Sequence, residues 1–148
     1  MKILVRIGSE HYTDVESDMV ENNYEAIKLM LDGMDDDYKV DVKTDDKGNA
    51  RISLDDGNGN FVVGQTFDVP SGEFALIHHH AYDGVDFDLV GSAKDFKNAQ
   101  IIKNAASKKF REEYGDVEVD FDESYQTCFD DGIEWNLFTL IKLEREVA

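Results

Sequence analysis

The feature that most limits how this chain can fold is a series of short segments in which apolar and polar residues alternate. Between residues 39 and 63 these segments are Lys39–Thr44, Arg51–Asp55 and Asn60–Val63. The residues between them, 45–49 and 56–59, are rich in the Asp, Asn and Gly that tight turns favour. Alternation with a period of two places one face of a strand in a core and the other in water. The sequence therefore predicts consecutive β-hairpins.

Further segments of the same kind precede and follow this region. Strands are predicted at Lys2–Ile7, Thr66–Val69, Phe74–Ala81, Val85–Val90, Val117–Phe121, Tyr125–Phe129 and Ile133–Leu143. The polar stretch Gly8–Ser17 is predicted to be a loop. Beyond Asn136 the pattern favours a strand, and a helix is left open there.

Two segments have helical periodicity instead. The first is predicted to start at Ser17 or Asp18 and to end near Met34, and the second to run from a cap at Ser92 to about Tyr114. Their predicted core stripes are Val20, Tyr24, Ile27, Leu31 and Met34, then Phe96, Ala99, Ile102, Ala106, Phe110 and Tyr114. The fold class expected is α+β: a single acidic domain over residues 1–148, with a mostly antiparallel sheet of about six to eight short strands and two helices packed on it. No internal repeat is apparent.

Composition narrows the class of protein. The chain has 148 residues, with 15 Lys plus Arg against 33 Asp plus Glu, and a formal net charge of −18. That charge repels nucleic acid and anionic lipid and attracts basic surfaces, so we expect no direct nucleic-acid or membrane binding. Cys128, the only cysteine, excludes an internal disulfide. With no signal peptide or membrane span apparent, the expected location is the cytoplasm.

Three consecutive histidines, His78, His79 and His80, interrupt the longest weakly charged apolar run. On a strand, His78 and His80 project from one face, roughly 6.6–6.8 Å apart, and His79 from the other. Two imidazoles at that spacing, with Asp83 or Asp86, would make a two-histidine, one-carboxylate metal site. Since no second cluster of ligands completes such a site, the favoured interpretation is a scaffold strand without metal or cofactor.

A row of carboxylates is the stronger candidate for function. The acids Asp116, Glu118, Asp120 and Asp122 alternate with Val117, Val119 and Phe121, and Asp86 and Asp88 form a shorter row. On a regular strand the four acids would share one face, about 6.7 Å apart. A wet sheet face is normally polar, but unbroken acidity is less expected because neighbouring like charges cost stability. These six residues are the predicted partner-binding site, and no catalytic residue is predicted.

The basic residues concentrate in one helical segment. Residues 94–111 contain six of them, and Asp95 is the only acid there; the six are Lys94, Lys97, Lys103, Lys108, Lys109 and Arg111. Lys94, Lys97, Lys108 and Arg111 share the side of the predicted helix opposite its apolar stripe. That side is interpreted as a solvated helix face, with the binding of a small anion as the alternative.

These patterns favour a non-enzymatic acidic protein that blocks the basic site of a nuclease or DNA-binding protein, such as a nucleic-acid mimic used in phage counter-defence. A toxin-immunity protein, a metal-dependent hydrolase using His78 and His80, and a binder of small anions are the alternatives. Nothing in the sequence indicates the oligomeric state, the organism or the identity of the partner.

Overall fold

The computed structural model describes residues 1–9, 11–32, 38–81, 85–115, 119–130 and 134–143, and at positions 11–14, 120 and 121 it describes the backbone alone. The chain divides into two compact units, Met1–Val69 and Pro70–Ala148. The boundary falls at Pro70, the only proline in the sequence. No helix in the described ranges is long and apolar enough to cross a membrane.

The first unit is a five-stranded antiparallel sheet with one helix. Its elements are β1 (Lys2–Gly8), β2 (His11–Val20), α1 (Asn23–Leu31), β3 (Lys39–Thr44), β4 (Ala50–Asp55) and β5 (Phe61–Asp68). The strands lie side by side in the order β2-β1-β5-β4-β3. The chain therefore starts at one side of the sheet, passes through the helix and resumes at the opposite edge.

The second unit follows the same plan. Its elements are β6 (Phe74–Ala81), β7 (Val85–Ala93), α2 (Phe96–Tyr114), β8 (Val119–Asp122), β9 (Gln126–Asp130) and β10 (Trp135–Lys142). Its strand order, β7-β6-β10-β9-β8, repeats that of the first unit with every strand five places later. All pairings in both sheets are antiparallel. The structure thus contains a ββαβββ arrangement twice, although the sequence shows no apparent repeat.

The core of the first unit forms where α1 packs on its sheet. Asn22 caps the helix by accepting a hydrogen bond from the backbone N–H of Glu25. Ala26 and Met30 are the buried helical residues, and they pack with Leu4, Ile52 and Leu54. Gly64 allows this close packing, since a Cβ there would lie 2.5 Å from the sulfur of Met30 and would force that side chain to shift.

The core of the second unit lies between α2 and one face of its sheet. Asp95 caps the helix by accepting from the backbone N–H of Asn98. Phe110 packs against Phe129 of β9 and Phe138 of β10, with ring centroids 4.9 and 5.8 Å away. Leu76, Ala93, Ala99 and Leu140 complete the cluster.

The α+β class and the two helices are confirmed, but the strands are more numerous than expected and lie in two sheets. The predicted loop Gly8–Ser17 was wrong in large part, because His11–Val20 pairs along β1 as strand β2. Arg6 supports that pairing by ion pairs with Glu16 and Asp18, at 3.3 and 3.4 Å. An acidic strand without an obvious apolar face can form when a basic neighbour compensates its charge.

Both predicted helix starts were wrong for the same reason. Ser17, Asp18 and Ser92 lie within strands β2 and β7, so the helices begin later, after Asn22 and Asp95. In α1 the buried stripe is Ala26 and Met30, and Tyr24 is exposed. Thr66–Val69 is no separate strand, since β5 runs unbroken from Phe61 to Asp68. Beyond Asn136 the chain is a strand, β10.

Candidate functional site

The three histidines lie on β6, the second strand of its sheet, between β7 and β10. His78 faces the helix: its ring stacks on Phe138 with centroids 4.5 Å apart, and its Nε2 hydrogen-bonds the side-chain oxygen of Asn136 at 2.8 Å. Burial lowers the pKa of His78, while the Asn136 hydrogen bond and the charge of Asp88 partly oppose that shift. His78 is therefore held as a neutral, packed side chain.

The other two histidines have different surroundings. His80 is hydrogen-bonded through Nε2 to the Glu134 carboxylate at 2.5 Å. His79 points to the opposite face, is fully buried and stacks on Phe87 with ring centroids 5.2 Å apart. Neither of its ring nitrogens has a hydrogen-bond partner among the described residues. Burial, reinforced by His78 and His80, lowers the pKa of His79 to about 4.

The side chains predicted as metal ligands do not assemble into a site within the described ranges. No group of three or more His, Cys, Asp or Glu side chains there is arranged to hold a metal ion. His78 and His80 hydrogen-bond Asn136 and Glu134 respectively. Asp83, the third predicted ligand, lies outside the described residues.

The short acidic row lies on β7, an edge strand of the second sheet. Asp86 and Asp88 are exposed and alternate with the buried Val85 and Phe87, as predicted. In the register of the sheet Asp86 stands opposite His80, and Asp88 stands opposite His78. The two carboxylates therefore share the helix-bearing face with the two histidines.

The longer row cannot be followed along its length. Asp116 and Glu118 lie outside the described residues, as does the side chain of Asp120. The pairing of β8 with β9 shifts between Val119 and Phe121, where two residues of β8 oppose one of β9. A bulge of this kind interrupts regular alternation, and Val119 and Asp122 consequently line the same groove.

Asp122 has partners inside the protein. Its Oδ1 accepts a hydrogen bond from the Thr127 hydroxyl at 2.7 Å and lies 3.4 Å from Nζ of Lys103. The Thr127 hydrogen bond, with further contributions from Lys103 and Arg111, holds the pKa of Asp122 below its usual value. Asp122 is thus an ionised carboxylate that joins β8 to α2.

Lys103 does not share the exposure of the other basic residues in its segment. It is 1% exposed, although the other basic residues of residues 94–111 are exposed. Its Nζ donates to the Glu123 carbonyl at 2.6 Å and to the Thr127 hydroxyl at 2.8 Å. A buried ammonium is tolerated only when its donors are satisfied, and these acceptors satisfy them. Lys103 therefore fixes the β8–β9 turn to the helix.

From Glu112 in the last turn of α2 to Glu134, every charged residue is an Asp or a Glu. Residues 112–134, defined here as the acidic segment, contain ten Asp or Glu and no Lys or Arg. Among the acids whose side chains the structure describes, four are exposed: Glu112, Glu113, Asp122 and Glu123. Glu112 and Glu113 fall in the last turn of α2, where the helix dipole favours cations and disfavours anions. Neither forms an ion pair within the described part of the chain. Their placement works against helix stability.

An open groove of about 420 Å³ runs between the second half of α2 and the β8–β9 hairpin. Its lining combines charged and polar side chains of the helix with an apolar strip from the strands: Asn104, Ser107, Lys108, Arg111, Glu112, Val119, Asp122, Thr127 and Phe129. The groove therefore offers both cations and carboxylates around an apolar base.

Sequence reasoning missed Lys103, Asn136 and Glu134 as structural partners. Helical spacing does place Lys103 on the apolar stripe, four residues after Ala99 and seven before Phe110, so its burial had a signal in the sequence. The register that brings Glu134 to His80 had none, because it depends on the pairing of distant strands. The absence of Lys and Arg from residues 112–134, by contrast, is visible in the sequence.

Comparison of the chain with protein-family models, with curated proteins and with solved structures gave no match. The function must therefore be argued from the chemistry of these surfaces.

Proposed function

We propose that this chain is a non-enzymatic acidic binding protein that occludes the basic site of a nucleic-acid-handling protein. The observation that carries the proposal is the acidic segment, whose exposed carboxylates extend from the C-terminal end of α2 into the β8–β9 hairpin. Asp86 and Asp88 on β7 add a second exposed acidic group in the same unit.

The positions of the carboxylates at the C-terminal end of α2 support a role in binding. Solubility alone is served best by a mixture of both signs, and anions at a helix C-terminus cost stability. Glu112 and Glu113 nevertheless follow directly after Arg111 in a helix that carries no acid in its first turn. Residues that oppose stability and remain exposed are typical of a functional surface.

Carboxylates presented in this way would recognise a partner as a nucleic-acid backbone does. A protein that grips phosphates uses Lys and Arg, and an ordered acidic surface offers those side chains alternative anionic ligands. Electrostatic steering makes such an association fast and makes it weaken with salt. The partner class is therefore a nuclease or DNA-binding protein with a basic site.

An immunity protein that neutralises a toxin nuclease would use the same surface. A competition experiment tests the shared element of both functions. The full chain is immobilised, proteins from a lysate are captured at low salt, and duplex DNA is added at constant ionic strength. Proteins released by DNA are those whose nucleic-acid site the acidic surface occupied.

Release by DNA, with retention in the presence of an uncharged polymer, is the expected outcome. Captured proteins that remain bound while they also bind DNA would show that the acidic surface contacts something other than a nucleic-acid site. A toxin among the released proteins, encoded beside the gene for this chain, would identify the immunity function.

A further inference from the structure

The repeated fold does not by itself require the groove of the second unit. The first unit completes the same ββαβββ arrangement with a helix of 9 residues, whereas α2 has 19. Four of the five helical residues that line the groove, Ser107, Lys108, Arg111 and Glu112, lie in the additional second half of α2. The helical wall of the groove is therefore formed mainly by the part of α2 that extends beyond the length of α1.

The helical wall of the groove carries two exposed cations in an otherwise acidic protein. Lys108 and Arg111 are exposed on its helical wall and form no ion pair within the described ranges, although the chain has 33 acids. Arg111 lies close enough to Asp122 to lower the pKa of that carboxyl. An arginine and a lysine on successive turns are suited to a phosphate, which the guanidinium can bind through two parallel hydrogen bonds.

The opposite wall is held in place before any ligand arrives. Lys103 connects the helix to Glu123 and Thr127, and Thr127 in turn orients Asp122. Thr127 and Lys103 both contact Oδ1 of Asp122, whereas Oδ2 has no hydrogen-bond partner among the described residues and can accept one. Val119, which is exposed, supplies apolar surface beside it, and the buried Phe129 lies beneath.

We propose that this groove binds a nucleoside monophosphate. Arg111 and Lys108 hold the phosphate, Asp122 and Glu112 accept hydrogen bonds from the sugar hydroxyls, and the base lies along the exposed side chain of Val119. Carboxylates are common acceptors for ribose hydroxyls, and a volume of about 420 Å³ is within the usual range for small-ligand sites. The site does not depend on the proposed function.

The test uses the full chain in solution, with AMP, adenosine and inorganic phosphate as separate probes. Backbone amide NMR shifts locate binding, and titration gives the dissociation constants. We expect AMP to perturb the amides of residues 104–112, 119, 122 and 127–129, and to bind more tightly than either fragment. Arg111→Gln should weaken AMP binding by roughly 10- to 100-fold, the loss typical of a hydrogen bond to a charged group.

Lys97→Gln is the matched control, because it removes one exposed positive charge from the same helix outside the groove. It should leave AMP affinity unchanged, and Lys108→Gln should weaken it. No shift in the groove amides at millimolar AMP would overturn the proposal, as would equal losses in Arg111→Gln and Lys97→Gln. Inorganic phosphate binding as tightly as AMP would overturn the nucleotide assignment.

Discussion

His79 is fully buried, and neither ring nitrogen has a hydrogen-bond partner among the described residues, which costs free energy of folding. The alternation of β6 predicted that it would face away from His78 and His80, and it does. What alternation could not predict is the set of neighbours, since Phe87 comes from β7 through the sheet register. With both ring nitrogens lacking a partner in the described part of the chain, the neutral imidazole is strongly favoured.

Replacing this histidine should remove a pH dependence of stability. The pKa of His79 is lowered from 6.5 to about 4, so the unfolded chain binds a proton that the folded chain excludes between those values. Stability from this group is present above pH 6.5 and is lost as the pH falls toward 4. At pH 5 the loss should be about 2 kcal/mol.

The measurement is urea unfolding of the wild type and of His79→Phe at pH 7.5 and 5. The phenyl ring preserves stacking on Phe87 and cannot titrate, so the variant should lose about 2 kcal/mol less on acidification. Using the difference between the two proteins cancels the relief of carboxylate repulsion, which acts in the opposite direction. Equal changes in both proteins would contradict the account.

Lys103 gives a second prediction at the residue scale. Lys103→Met keeps the length of the side chain but leaves the Glu123 carbonyl and the Thr127 hydroxyl without their donor. We expect the free energy of unfolding to fall by about 1–3 kcal/mol. The pKa of Asp122 should rise toward its ordinary value, which an NMR titration of its carboxyl measures.

Lys97→Met is the control for that experiment, since Lys97 is exposed on the same helix. Its effect on stability should stay within about 0.5 kcal/mol. A Lys103→Met protein as stable as this control, with an unchanged Asp122 titration, would show that the buried ammonium has no structural role.

At the scale of elements, the sequence predicted most strands and both helices, and it missed where they begin. Serine is a common helix-capping residue, but Ser17 pairs with β1 and Ser92 pairs with β6, so both lie in strands. The choice depends on long-range partners that a local pattern does not contain. Periodicity predicted the middle of α2, where Ala99 and Phe110 are buried as expected, but Phe96 and Tyr114 at the two ends of the predicted stripe are exposed.

The charge arrangement of α2 leads to a prediction at this scale. Because Glu112 and Glu113 stand at the negative end of the helix dipole, neutralising them should stabilise the isolated protein. Glu112→Gln/Glu113→Gln should raise the free energy of unfolding by about 0.3–1 kcal/mol per residue at low ionic strength. Chemical unfolding at low and high salt measures the gain, which salt should diminish.

Asp41→Asn/Asp46→Asn has the same net charge and provides the comparison, since both residues are exposed and lie outside helices. It should gain less than the helical pair, through the reduction of general repulsion alone. Destabilisation of the Glu112→Gln/Glu113→Gln protein would mean that these carboxylates serve the fold.

At the scale of the whole molecule, the repeated ββαβββ plan was not visible in the sequence. Strand order arises from pairings such as β1 with β5 and β6 with β10, which are distant along the chain. The two units also use helices of different length, so their sequences need share only the spacing of apolar positions. The net charge of the chain, by contrast, follows from the sequence alone, and the proposed function depends on it.

We infer that the acids of residues 112–134 bind a partner at a cost to stability. The most direct measurement is the affinity of a DNA-displaceable partner for the wild type and for both double variants over a range of salt concentrations. We expect Glu112→Gln/Glu113→Gln to bind more weakly at low salt, with a shallower salt dependence, and Asp41→Asn/Asp46→Asn to behave as the wild type does. Equal affinity for all three proteins, or equal losses in the two variants, would contradict the claim.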